Sequence, residues 1–139
     1  MIVKNGRHQR MYNEEQFFDK LKLIIPDLVK SDNKFSTNDC TSEQLGAYIE
    51  LNCRNTHYDT LLIEYSKYAR LLEEASTKRL VPAYFNATPE GAWGFNLLTM
   101  DVEFAEQKNL PATTEFENKE KVTKIVGYLP IEKGFKLWS

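Results

Sequence analysis

Asp39 and Glu50 are the residues whose types and spacing best suit chemistry in this sequence. Glu50 lies in Gly46-Ala47-Tyr48-Ile49-Glu50-Leu51-Asn52-Cys53-Arg54, where Ile49, Leu51 and Cys53 alternate with Glu50, Asn52 and Arg54. Such alternation gives a strand with one polar face. Asp39 stands eleven positions earlier, near the end of the short segment Phe35–Cys40, a spacing that suits neighbouring strands joined by a turn. Two carboxylates brought together on adjacent strands repel unless a cation sits between them, and Mg²⁺ or Mn²⁺ accepts one or two carboxylates plus water and phosphate oxygens. An ion held in this way polarises a phosphodiester and lowers the pKa of a water that can attack phosphorus. Taken alone, three polar positions on one strand face are equally ordinary at a solvent-facing sheet surface.

The elements that must position these residues follow from periodicity. Asn13 and Gln16 have capping-box spacing, and Phe17, Leu21, Ile24 and Leu28 recur at helical intervals, with Pro26 expected to end or bend that helix. A polar stretch, Ser31 to Lys34, precedes Phe35–Cys40, whose type the pattern leaves open. Tyr68, Leu71, Leu72 and Ala75 predict a second helix from Ile63 to Ala75. Leu80–Asn86 reads as a buried strand, Thr88–Gly91 as a turn and Ala92–Met100 as its hairpin partner. Lys124–Leu129 is the expected last strand, after a polar connection holding Pro111, Thr113 and Thr114. This order predicts an α/β fold with a central mixed sheet flanked by helices.

With 139 residues, 42% of them hydrophobic and 27% charged, the chain suits a single folded domain over residues 1–139. No stretch approaches the ~18 apolar residues of a membrane span, and the N-terminus lacks the apolar core of a secretory signal, so a cytoplasmic protein is expected. Cys40 and Cys53 have no metal-binding spacing and read as reduced thiols. A net charge of -2 argues against a uniformly basic nucleic-acid-coating surface. Residues 1–12 form a local basic arm with Lys4, Arg7, His8 and Arg10, which could grip phosphates, although a solvated terminus is the commoner outcome.

The ordered set of Asp39, Tyr48-Ile49-Glu50-Leu51-Asn52-Cys53-Arg54, Thr60-Leu61-Leu62-Ile63-Glu64 and Lys67-Tyr68 resembles the PD-(D/E)xK nuclease superfamily. The likeness is strongest to small phage-type members with a Glu-Leu-Lys-Cys-Arg strand, and it runs on through Tyr84–Gly91 and Phe95–Leu98. It implies a restriction-endonuclease-like fold and a divalent-metal-dependent endonuclease, a hydrolase of DNA, in the host-cell cytoplasm if phage-encoded. It further implies Mg²⁺ or Mn²⁺ held by Asp39, Glu50 and the main-chain carbonyl of Leu51. Glu14 or Glu15 contributes in some relatives, but a favourable interaction with the helix N-terminus is the preferred reading of both. Because one site cuts one strand, a homodimer is an expectation, while the sequence leaves the oligomeric state open.

The departure is Asn52, which stands where the superfamily has a lysine that positions the attacking water. Asparagine can hydrogen-bond a water but carries no charge, so either Asn52 or Lys67 is expected to orient the attacking water, and losing such an electrostatic contact typically costs ~10² to 10³ in rate. Lys67, on the following helix, could lean over the site and supply the missing ammonium; its plainer reading is a surface pair with Glu64. Arg54 is expected to reach outward and, with Arg7 and Arg10, to contact phosphates. His57 and Tyr58 fall in a loop where a histidine is more often a plain surface residue, and Trp93 and Trp138 are expected to pack rather than stack on bases. Two rival readings remain: a degenerate nuclease fold that binds nucleic acid or a protein without cutting, and an interaction protein whose carboxylates merely face solvent.

Overall fold

In the computed structural model, residues 12–31, 39–111 and 121–139 are described. The basic arm with Arg7 and Arg10, most of Phe35–Cys40, and Thr113 and Thr114 lie outside them. The first described element is helix α1, Glu14–Ile24. Its start is the expected capping box: the Asn13 side chain accepts from the Gln16 N–H at 2.8 Å, and the Gln16 side chain accepts from the Asn13 N–H at 3.0 Å. These bonds satisfy two donors that a helix start leaves orphaned. The helix ends just before Pro26, and Phe17, Phe18 and Leu21 form its buried stripe. Ile24 is exposed, and Ile25 and Leu28, beyond the helix, fill the core instead.

Strands β1 (Val29–Lys30), β2 (Asp39–Ser42) and β3 (Ala47–Cys53) then form an antiparallel meander. The β2–β3 turn is closed by Gly46, at φ +64°, whose N–H donates to the Glu43 carbonyl at 3.1 Å. Asp27 ties this turn to the α1–β1 connection by accepting from the Gln44 N–H at 2.9 Å and the Ser42 hydroxyl at 2.7 Å. The Gln44 bond, aided by Ser42, holds the Asp27 carboxyl below its usual range.

Strand β4 (Thr60–Glu64) precedes helix α2 (Tyr65–Lys78), so the expected helix from Ile63 begins two residues late. The cause is tertiary: Leu61 and Ile63 are buried on one side of a strand paired with β8 (Lys121–Pro130). Strands β5 (Val81–Thr88) and β6 (Gly91–Asn96) form the expected hairpin. The second strand stops at Asn96 rather than Met100, because the Asn96 side chain accepts from the Leu98 N–H at 2.9 Å and turns the chain. Strands β7 (Ala105–Pro111) and β9 (Phe135–Trp138) add to the single strand expected near the C-terminus.

The result is an α/β fold with a six-stranded mixed sheet, ordered β1-β2-β3-β5-β6-β9, and a three-stranded sheet, β4-β8-β7. Only β3 and β5 pair in parallel in the larger sheet, which requires the long crossover that β4 and α2 provide. On one face, Ile49, Leu51 and Phe85 pack with Phe17 and Leu21 of α1. On the other, Tyr48, Tyr84 and Phe95 pack with Leu71 and Ala75 of α2 and with Leu61, Ile63 and Leu129 of the smaller sheet. Among the described residues, no helix is long and apolar enough to cross a membrane.

Candidate active site

The polar face of β3 turns inward to α2. Alternation puts Tyr48, Glu50 and Asn52 on the side away from α1, and α2 covers that side. Asp39 is the register partner of Glu50, so their side chains project to the same face of adjacent strands. They are 1% and 5% exposed, which removes the reading of solvent-facing carboxylates.

Cations from α2 meet this pair. Arg70 spans both acids, with Nη1 3.0 Å from Asp39 Oδ2 and Nη2 2.5 Å from Glu50 Oε1. Lys67 Nζ lies 2.8 Å from Glu50 Oε2. Lys67, Arg70 and Glu74 follow at three- and four-residue steps along the helix and form one stripe. The Tyr48 hydroxyl donates to Asp39 Oδ2 at 2.5 Å and lies 3.4 Å from Glu74 Oε2. Asp39 Oδ1 is buried without a hydrogen-bond partner. Beside Arg70, an open groove of about 500 Å³ runs along α2 past Ser66, Ala69, Glu73, Glu74 and Thr77.

The electrostatics follow from burial and proximity. Desolvation, together with the neighbouring Asp39 carboxyl, raises the Glu50 pKa against the lowering pull of Lys67. Burial works to lower the Lys67 pKa, but the Tyr84 oxygen and the Glu50 carboxylate outweigh it and raise it. Burial likewise opposes the charge on Arg70, and its bonds to Asp39 and Glu50 prevail. Lys67 is therefore a permanent ammonium at neutral pH, suited to stabilise charge and unable to accept a proton.

Asn52 and Arg54 are engaged elsewhere. Asn52 Nδ2 donates to the Tyr84 hydroxyl and to Asn86 Oδ1, both at 3.1 Å. Arg54 does not reach outward as expected. Its Nε donates to Asn86 Oδ1 at 2.8 Å and its Nη2 to the Leu62 carbonyl at 2.5 Å, so it braces β3 against β5 and β4. Leu51 directs its side chain to the α1 face, which leaves its main chain as any contribution to the site. Glu14 and Glu15 open α1, on the face opposite the acid pair.

Lys67 is not paired with Glu64, which instead bonds Lys124 at 3.2 Å. His57 is not a plain surface residue: it lies on the Trp93 ring at 5.1 Å, with Nδ1 2.9 Å from Thr88 Oγ1. Both tryptophans pack as expected, Trp138 edge-on to Phe17 at 5.6 Å. Neither Cys40 nor Cys53 is in a disulfide, and both are buried.

Arg70, Tyr48 and Glu74 escaped sequence reasoning. The available signals were Arg70 three residues after Lys67 on the same helix face and Tyr48 two residues before Glu50 on the same strand face.

Among the described residues, no cluster of three His, Cys, Asp or Glu side chains is placed to hold a metal. The donor set still fits a hard cation: two same-face carboxylates, one carrying a buried unpartnered oxygen, match an ion that completes its shell with water and phosphate oxygens. No family model, curated protein or solved structure matches the chain significantly.

Proposed function

We propose that the chain is a divalent-metal-dependent nuclease acting on DNA, with a restriction-endonuclease-like fold of the PD-(D/E)xK kind in one domain over residues 1–139. The order of α1, the β1–β2–β3 meander, α2 and a β5 parallel to β3 supports the fold reading. The single observation that carries the function is the pairing of Asp39 with Glu50 on one buried face, with an ammonium from α2 2.8 Å from Glu50.

In this reading Asp39, Glu50 and the Leu51 carbonyl would hold Mg²⁺ or Mn²⁺, which would supply Lewis-acid activation of the phosphodiester and of the attacking water. Lys67 takes the place of the missing lysine and stabilises negative charge gathering on phosphorus. Asn52 is already committed to Tyr84 and Asn86 and serves to hold β3 against β5. Arg7 and Arg10 on the N-terminal arm contact backbone phosphates, a cytoplasmic location suits the substrate, and a homodimer allows both strands of a duplex to be cut. The test is cleavage of single-stranded, duplex and branched DNA with Mg²⁺ or Mn²⁺. Glu50→Ala is expected to abolish cutting, and retained cutting by that variant refutes the proposal.

A second reading, a silenced relative that binds without cutting, is favoured by the Arg70 fork across both acids and by the tied Asn52 amide. Cleavage by the unmodified chain rules it out. Cleavage gained only by Asn52→Lys establishes it.

A further inference from the structure

Resting on the metal-binding reading above, we propose that Arg70 is an exchangeable cation that competes with the divalent ion for Asp39 and Glu50. The oxygens of the pair divide unequally. Asp39 Oδ2 receives Arg70 and Tyr48, Glu50 Oε1 receives Arg70, Glu50 Oε2 receives Lys67, and Asp39 Oδ1 has no partner. An ion held by both acids would therefore have to share or take a Glu50 oxygen already bonded to a resident cation.

Arg70 is the one that yields. Of the two acids, Lys67 touches only Glu50, whereas the Arg70 fork lies across the gap between them, the space that an ion held by both would need. The Arg70 side chain is 32% exposed and lines the groove along α2, so the guanidinium has an open direction in which to withdraw. Glu74, one turn further along the same stripe, borders the same groove. Exchange of one cation for another also keeps the buried acids neutralised throughout, avoiding the penalty of leaving them unpaired.

The test is calorimetric titration of Mn²⁺ into the full chain and into Arg70→Gln, Arg70→Lys and Glu50→Gln. Removing the competitor is expected to tighten Mn²⁺ binding by about tenfold or more in Arg70→Gln, the size of an ordinary coupling between sites. Arg70→Lys, which keeps a charge but not the fork, is expected to tighten it less. In parallel, Mn²⁺ should raise the melting temperature of Arg70→Gln more than that of the unmodified chain. Equal or weaker binding by Arg70→Gln, with clear binding by the unmodified chain, overturns the exchange and leaves the metal site standing. If Arg70→Gln does not fold, an unchanged affinity in Arg70→Lys overturns the exchange in its place. Binding by neither the unmodified chain nor the Arg70 variants, or undiminished binding by Glu50→Gln, removes the metal site and the exchange with it.

Discussion

Replacing Lys67 with Met keeps most of the apolar stem and deletes the ammonium 2.8 Å from Glu50 Oε2. Because its surroundings raise the Lys67 pKa, the native side chain is charged throughout the neutral range, and the deletion should cost the same at each pH tested there. A unit charge ~4 Å from a developing opposite charge is worth ~4 kcal/mol at an effective dielectric of ~20. That figure matches the upper end of the ~2.7 to 4 kcal/mol lost with one preorganised donor, so metal-dependent cleavage should slow by ~10² to 10³. Stability should fall as well, by about 1.5 to 3 kcal/mol, because the buried Glu50 loses one charged hydrogen-bond partner and keeps Arg70. Single-turnover cleavage of labelled DNA, with thermal denaturation alongside, separates the two effects. Asn52→Ala, which removes an amide bonded to Tyr84 and Asn86, should slow cleavage less than Lys67→Met does. Native-rate cutting by Lys67→Met, or an equal loss from Asn52→Ala, refutes the assignment of the missing lysine's role to Lys67.

Two further outcomes test the surroundings. Asn86 is fully buried and its Oδ1 accepts from both Asn52 and Arg54, so Asn86→Ala should lower stability in urea by about 2 to 4 kcal/mol; a loss below ~1 kcal/mol would contradict the bracing role. Burial, together with the neighbouring Asp39 charge, pushes the Cys40 thiol up to about 12 from 9.0, so it should resist thiol reagents at pH 8 until the chain unfolds. The unfolded thiol ionises first, so the Cys40 contribution to stability is complete below pH 9.0 and declines as pH rises toward 12. Cys40→Ala should remove that part of the alkaline slope, and an unchanged slope would show that the thiol is not shielded.

Local signals were legible where local physics decides the structure. The Asn13–Gln16 capping box, the stop before Pro26, the alternation in β3 and the β5–β6 hairpin all depend on neighbours in sequence. Strand β4 was missed because Ile63 and Glu64 run directly into a helical pattern, and only pairing with β8, more than sixty residues away, makes them extended. Strand β7 was missed because it is mostly exposed at the edge of its sheet and carries little apolar alternation. The candidate site shows the same division. The positions of Asp39 and Glu50 on neighbouring strands followed from spacing, but the helix above them did not, so a polar strand face gave no sign of burial. The direction of Arg54 could not be read either, since Asn86 and the Leu62 carbonyl, which turn it inward, come from other strands.

The tight bend at Gly46, clamped from below by Asp27, has a reach well beyond its own few residues. Strand side chains alternate, so a slip of one residue between β2 and β3 would send one acid to each side of the sheet and dissolve the pair without altering either of them. A β-branched residue at position 46 would find open space but strained left-handed backbone, and so would loosen the turn that sets this register, four residues from Glu50, while leaving every reactive group in the chain.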